Sequence, residues 1–212
     1  MEPKVERHVL LRLIKALFEE EELATVAEII SADPVLASKI LKFVNSAYSN
    51  LRRTIHSIED AVAYLGYQKL KEVAFTVLVS SLITEKSPEE IKRFLEFAYL
   101  MKATARKVAP RLQEEAFLVG ILYPVYLQEG EKLLELLKSI GVSEAVIEGL
   151  KENKSPLGVV REFAEKLTPL CLKLDKGEIR ELPFKTTPFK KEFITKVCLE
   201  ASVEAEKVLK LL

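Results

Sequence analysis

Two histidines and three aspartates are all that this 212-residue chain offers of two residue types that commonly hold catalytic metal ions. They are His8 and His56, with Asp33, Asp60 and Asp175, and no His-Asp dipeptide occurs. Cysteine is as scarce. Cys171 and Cys198 stand alone without CxxC spacing, so no disulfide framework is expected, and such usage suits a reducing cytosol. Glycine is sparse, and a hydrophobic content of 49% excludes a disordered chain and requires a packed core. Basic and acidic side chains balance at 32 each, which excludes the electrostatic signature of a nucleic-acid binder. The longest apolar stretch, residues 73–83, contains a threonine and two serines and is too short to span a bilayer. Arg12 and Lys15 interrupt the first apolar stretch, so a secretory signal is not expected and a cytoplasmic location is. Glutamate and lysine dominate the charge while asparagine and glutamine are few, a thermophile-like balance.

What the chain does have is helix punctuation. Four starts pair a short polar residue with proline: Asp33-Pro34, Ser87-Pro88, Ser155-Pro156 and Thr187-Pro188. The polar side chain accepts from an orphan N–H, and proline at the first helical position forfeits no hydrogen bond. Glu90 completes a capping box with Ser87. Between these starts the apolar spacing is helical: Leu10, Leu13, Ile14 and Leu17; Val26, Ala27 and Ile30; Leu36, Ile40, Phe43 and Val44; Leu70, Val73, Ala74 and Val77; Ile194, Val197, Cys198 and Ala201. Gly66 is placed to end a helix over residues 57–65. Residues 116–127 are apolar around the whole helical circumference and predict a central helix, which Pro124 should kink or end. No stretch alternates as a strand does. The expectation is an all-α, multi-helix bundle of about ten or more helices. It forms a single domain over residues 1–212, with an N-terminal bundle to about residue 85 and a second helical part beyond about residue 86.

The segment running from Asp33-Pro34-Val35-Leu36-Ala37 through Asn45-Ser46-Ala47-Tyr48 to Leu65-Gly66 resembles the signature region of the HDOD domain, and the likeness extends over about residues 19–127. HDOD domains are helical bacterial signalling modules related to the HD metal-dependent phosphohydrolases. From residue 116 onward the chain is most similar to the HDOD module of EAL–HDOD signalling proteins. Lys154-Ser155-Pro156-Leu157-Gly158-Val159-Val160 and Lys176-Gly177-Glu178 carry that likeness. No EAL motif is present, so the resemblance implies no cyclic-di-GMP hydrolysis. It also implies that the metal-ligand positions of an HD enzyme are degenerate here: Phe97 at one, and Tyr123-Pro124 where the His-Asp pair would stand. None offers an imidazole or a carboxylate, so no metal, no cofactor and no catalytic residue are expected. Other catalytic patterns are missing as well: Ser46, Ser80 and Ser81 have no nucleophile elbow around them, and no glycine-rich phosphate loop occurs.

The candidate interaction residues are Asn45, Tyr48, Arg52, Arg53 and Lys69. Asn45 is either a polar hook for a partner or a tie to the following loop, as asparagine near helix ends commonly is. Arg52, Arg53, Lys69 and Lys71 form either a basic surface or ordinary solvated charge. Tyr48, Tyr64 and Tyr67 are rim or core aromatics. Lys102, Arg106, Lys107 and Arg111 need only the macrodipole of their own helix to explain them. The expected function is a non-catalytic regulatory module in bacterial signal transduction, acting by contact with another signalling protein. No membrane or nucleic-acid partner is expected, and homo-oligomerisation is left open. The alternative is a small-molecule or nucleotide sensor using the relic HD pocket.

Overall fold

The computed structural model describes residues 5–47, 54–82, 87–178 and 191–209. Ten α-helices account for nearly all of them, and no strand occurs among the described residues, so the chain is all-α. The helices are α1 Arg7–Phe18, α2 Leu23–Ser31, α3 Pro34–Ala47, α4 Ile58–Leu82 and α5 Pro88–Val108. After a 3-10 turn at Pro110–Leu112 come α6 Gln113–Glu129, α7 Glu131–Ser139, α8 Glu144–Lys151, α9 Pro156–Asp175 and α10 Lys191–Leu209.

The expected caps are in place. Ser155 Oγ accepts from Gly158 N at 3.1 Å at the start of α9. Ser87 and Glu90 bond reciprocally, Glu90 N to Ser87 Oγ at 3.3 Å and Ser87 N to Glu90 Oε2 at 2.9 Å. Asp33 does more than cap. One carboxylate oxygen takes the N–H groups of Val35 and Leu36 at 2.8 and 3.0 Å, while the other takes Glu6 N at 2.7 Å, just ahead of α1. A single carboxylate, 3% exposed, therefore fixes the starts of α1 and α3 together. The pair Thr187-Pro188 lies outside the described residues. Gly66 interrupts α4 with φ +68° and ψ 173°, a conformation essentially reserved to glycine, so the two segments of α4 meet at a break.

Of the two outcomes expected at Pro124, a kink or an end, the end does not occur, since α6 continues to Glu129. Burial on all sides holds for residues 116–122 but fails at the far end, where Leu127 is exposed, because the last turn leaves the packed interior. The cysteine expectation is also overturned. Cys171 on α9 and Cys198 on α10 form a disulfide, with Cα atoms 5.2 Å apart. Their 27-residue separation carries no motif, and only the packing of α9 and α10 brings the sulfurs together.

The chain divides into two compact units that interleave along the sequence. The first comprises Met1–Ile91, Val125–Ser143 and Lys207–Leu212; the second comprises Lys92–Pro124 and Glu144–Glu206. In the first, α1, α2 and α3 pack on α4, burying Leu10, Leu13, Ile30, Phe43, Val73 and Leu78. Phe18 meets Phe75 edge-on with centroids 6.0 Å apart, and the Lys71 ammonium lies 4.7 Å from the Phe18 ring. In the second, α5 and α6 approach so closely at Gly120 that a Cβ there would lie 2.5 Å from Ala98 Cα. Gly149 plays the same part on α8, where a Cβ would meet Leu157 and Val119 side chains at 2.8 Å.

Asp33 and Ser57 make a direct comparison, since Ser57 caps α4 with one bond from Asp60 N at 3.0 Å. Chemical denaturation of Asp33→Ala is expected to show a loss of about 2–3 kcal/mol, and that of Ser57→Ala about 1 kcal/mol or less. Equal losses would mean that the bond from Glu6 contributes nothing.

Candidate functional site

The positions marked as degenerate lie together in the second unit. Phe97 on α5 and Tyr123 on α6 stack at a tilt of 32° with ring centroids 6.3 Å apart. On Tyr123 rests the guanidinium of Arg161 from α9, its central carbon 4.4 Å from the ring centroid. Arg161 is 3% exposed. Its Nη1 donates to the carbonyls of Gly149 and Leu150 at 2.6 and 2.5 Å, and its Nη2 donates to Asn153 Oδ1. These carbonyls belong to the last turn of α8, which has no further turn to satisfy them. Nε has no hydrogen-bond partner among the described residues. Pro124 follows Tyr123 inside α6 and adds no donor.

This arrangement is poorly suited to a divalent cation. An ion ~5 Å from the guanidinium would meet a repulsion of about 7 kcal/mol at an effective dielectric of about 20. Among the described residues no group of three or more His, Cys, Asp or Glu side chains is placed to hold a metal ion.

Of the candidate interaction residues, Tyr48, Arg52 and Arg53 lie outside the described residues. Asn45 directs its amide at the backbone. Nδ2 donates to Leu41 O at 2.9 Å and Ile55 O at 2.8 Å, and Oδ1 accepts from Ile55 N at 2.9 Å. Lys69 directs its ammonium at the buried carboxylate of Glu72, 2.7 Å away, and lies 5.9 Å from the Phe43 ring. Both described members, Asn45 and Lys69, are engaged inside the first unit. Tyr67 donates to Glu21 O at 2.6 Å, whereas Tyr64 is exposed. The basic end of α5 pairs with acids of the second unit, Lys102 with Glu114 at 2.7 Å and Arg106 with both oxygens of Glu200 at 2.8 Å.

A cavity of about 200 Å³ opens beside Phe97, between α5, α9 and α10. Leu100, Leu172, Leu174 and both disulfide cysteines line it. At its rim Leu199 is 66% exposed, and Val203 one turn further along α10 is 46% exposed. Sequence reasoning missed this cavity, the disulfide and Arg161. Only Arg161 left a legible signal: it falls on the face of α9 shared by Leu157, Val160 and Ala164, where a charge demands buried acceptors.

A crystal structure of a putative phosphohydrolase from Shewanella amazonensis SB2B superposes with a TM-score of 0.61, covering 99% of this chain and 93% of that one. At 17% identity that similarity speaks for the fold alone. The cyclic di-GMP phosphodiesterase CdgJ of Vibrio cholerae is 27% identical over 150 residues, which span 69% of this chain and 34% of that protein. YuxH of Bacillus subtilis is 27% identical over 135 residues, 62% of this chain and 33% of that protein. The chain thus matches about a third of the length of each of these relatives. The HDOD domain family model matches residues 6–125, more than half of the chain, and the protein belongs to the HDOD domain family.

Proposed function

We propose that this HDOD protein is a non-catalytic signalling module that works by contact with another signalling protein. The signalling role is supported by the family match and by the similarity to CdgJ, a cyclic di-GMP phosphodiesterase. The non-catalytic part rests on one observation: at the relic position a buried guanidinium faces an aromatic ring that packs on a second aromatic ring. A hydrolase of the HD type needs a metal there to lower the pKa of a bound water. At the positions that the resemblance gives as degenerate stand two rings, with a guanidinium against one of them, and these supply neither ligands nor a nucleophile.

Contact with a protein is supported by the apolar side chains that α10 leaves exposed at Leu199 and Val203. A cytoplasmic location belongs to this reading. No helix among the described residues is long and apolar enough to cross a membrane. The cysteines no longer argue for it, since they are bonded to each other. The second reading, a small-molecule sensor, is favoured by the cavity beside Phe97. A nucleotide fits that cavity poorly, because no basic residue lines it and Glu96 does.

Elemental analysis of protein purified without chelator is expected to find far less than one divalent metal per chain, and incubation with cyclic di-GMP to leave it intact. Stoichiometric metal with hydrolysis would end the non-catalytic reading. Affinity capture from the native extract is expected to recover a reproducible signalling partner. Arg161→Met keeps the stem but strands two α8 carbonyls, so urea denaturation is expected to show a loss of about 3 kcal/mol. Arg161→Lys is expected to recover little of it, because an ammonium cannot reproduce the planar fork. Full recovery by lysine would mean that charge alone matters at this position.

A further inference from the structure

The cavity of the second unit has a definite chemistry. Its wall is built from Phe97, Leu100, Leu172, Leu174 and the two sulfurs of Cys171 and Cys198. Of the polar side chains that reach it, Thr168, Ser202 and Glu96 bond within the protein, and Thr195 sits at the exposed edge. Thr168 Oγ1 donates to Ala164 O at 2.8 Å, Ser202 Oγ donates to Glu96 Oε1 at 3.1 Å, and Glu96 pairs with Lys92 at 3.6 Å. An anionic ligand would meet the Glu96 carboxylate and no basic lining residue. An uncharged, apolar molecule would meet a matching surface. The space suits a bicyclic aromatic ring or a short alkyl chain, since an apolar cavity of about 150 Å³ accepts benzene.

An open apolar cavity is costly to keep. Its walls are left facing water, and neighbouring helices tend to close over such surface unless it is filled or held open. The disulfide lies where such a restraint is needed: it fixes α9 to α10 within the cavity wall, with Cα atoms 5.2 Å apart. A disulfide that bridges two packed helices opens by exchange with a dithiol, so a restraint of this kind is reversible.

We propose that this cavity binds a small uncharged apolar molecule and that the Cys171–Cys198 bond holds it in the shape that binds, so that reduction releases the ligand. The chemistry is thiol–disulfide exchange with a dithiol reductant. A thiolate attacks one sulfur, the S–S bond breaks to a mixed disulfide, and the second thiol of the reductant displaces the remaining sulfur. Two electrons and two protons pass to the protein, leaving two cysteine thiols, and the reductant departs as its disulfide. The inference does not rest on the signalling reading.

The test is isothermal titration of the full oxidised chain with two neutral probes, indole and n-hexanol, and with indole-3-carboxylate as the charged counterpart. At least one neutral probe is expected to bind, and the carboxylate to bind about tenfold more weakly than indole or not at all. Thr195→Trp places a large ring at an exposed position of the cavity lining and is expected to abolish binding with the disulfide intact. Dithiothreitol-reduced protein, with helix content followed by circular dichroism, is expected to keep its helices and lose about tenfold in affinity. Failure of both neutral probes to bind the oxidised chain overturns the site, as does undiminished binding to Thr195→Trp. Equal affinity after reduction overturns the restraint, and so does loss of helices, because the bond would then support the fold and not the cavity.

Discussion

A guanidinium sealed in the interior, facing a tyrosine ring and bonded to the end of a neighbouring helix, is the constraint on which the second unit is built. A buried guanidinium carries five N–H donors and no acceptor, so the surrounding chain must provide acceptors for it. Arg161 finds them at the carbonyls of Gly149 and Leu150, which α8 leaves unpaired where it ends, and at the side-chain oxygen of Asn153 just beyond. That match fixes α8 against α9, and the close fit at Gly149, where a Cβ would press on Leu157 and Val119, follows from the same approach. The remaining face of the guanidinium rests on Tyr123, and Tyr123 rests on Phe97. Buried charge, helix terminus and aromatic stack are therefore one arrangement. It includes Phe97 and Tyr123, the positions that the resemblance gives as degenerate, and so connects the fold to the proposed function.

The first unit depends on a smaller version of the same principle. Asp33 has two oxygens, one given to the start of α3 and the other to the residue ahead of α1. Glu72, buried beside Lys69, is a second ionic group held inside that unit by a partner on its own helix. The Asp33 bridge orients two helices that apolar packing alone would allow to slide, while Leu, Ile and Val side chains supply most of the burial.

Local features were legible in the sequence because local chemistry determines them. The Ser87–Glu90 box, the Ser155 cap, the break at Gly66 and the buried faces of α1, α3 and α10 all depend on residues a few positions apart. The resemblance in residues 33–66 carried the fold further than periodicity could, and the all-α architecture follows from both. Distance along the chain defeated the rest. Cys171 and Cys198 are separated by a stretch that gives no hint of pairing, and only helix packing makes them neighbours. Pro124 signals a helix end by its own chemistry, yet α6 continues past it to Glu129. Asn45 was legible as a tie to the loop that follows it, which its bonds to Ile55 bear out, whereas the Lys69–Glu72 pairing was not read from the sequence. The interleaving of the two units is likewise a long-range property of the chain.

The central claim is that a cation of the protein itself occupies the neighbourhood in which an HD hydrolase would hold its metal. Crystals grown in millimolar manganese, with anomalous diffraction collected near the manganese edge, address it most directly. The account predicts no anomalous peak near Phe97, Tyr123 and Arg161, and a guanidinium still seated on the tyrosine ring. A strong peak among those side chains, with Arg161 swung away to admit the ion, would contradict it.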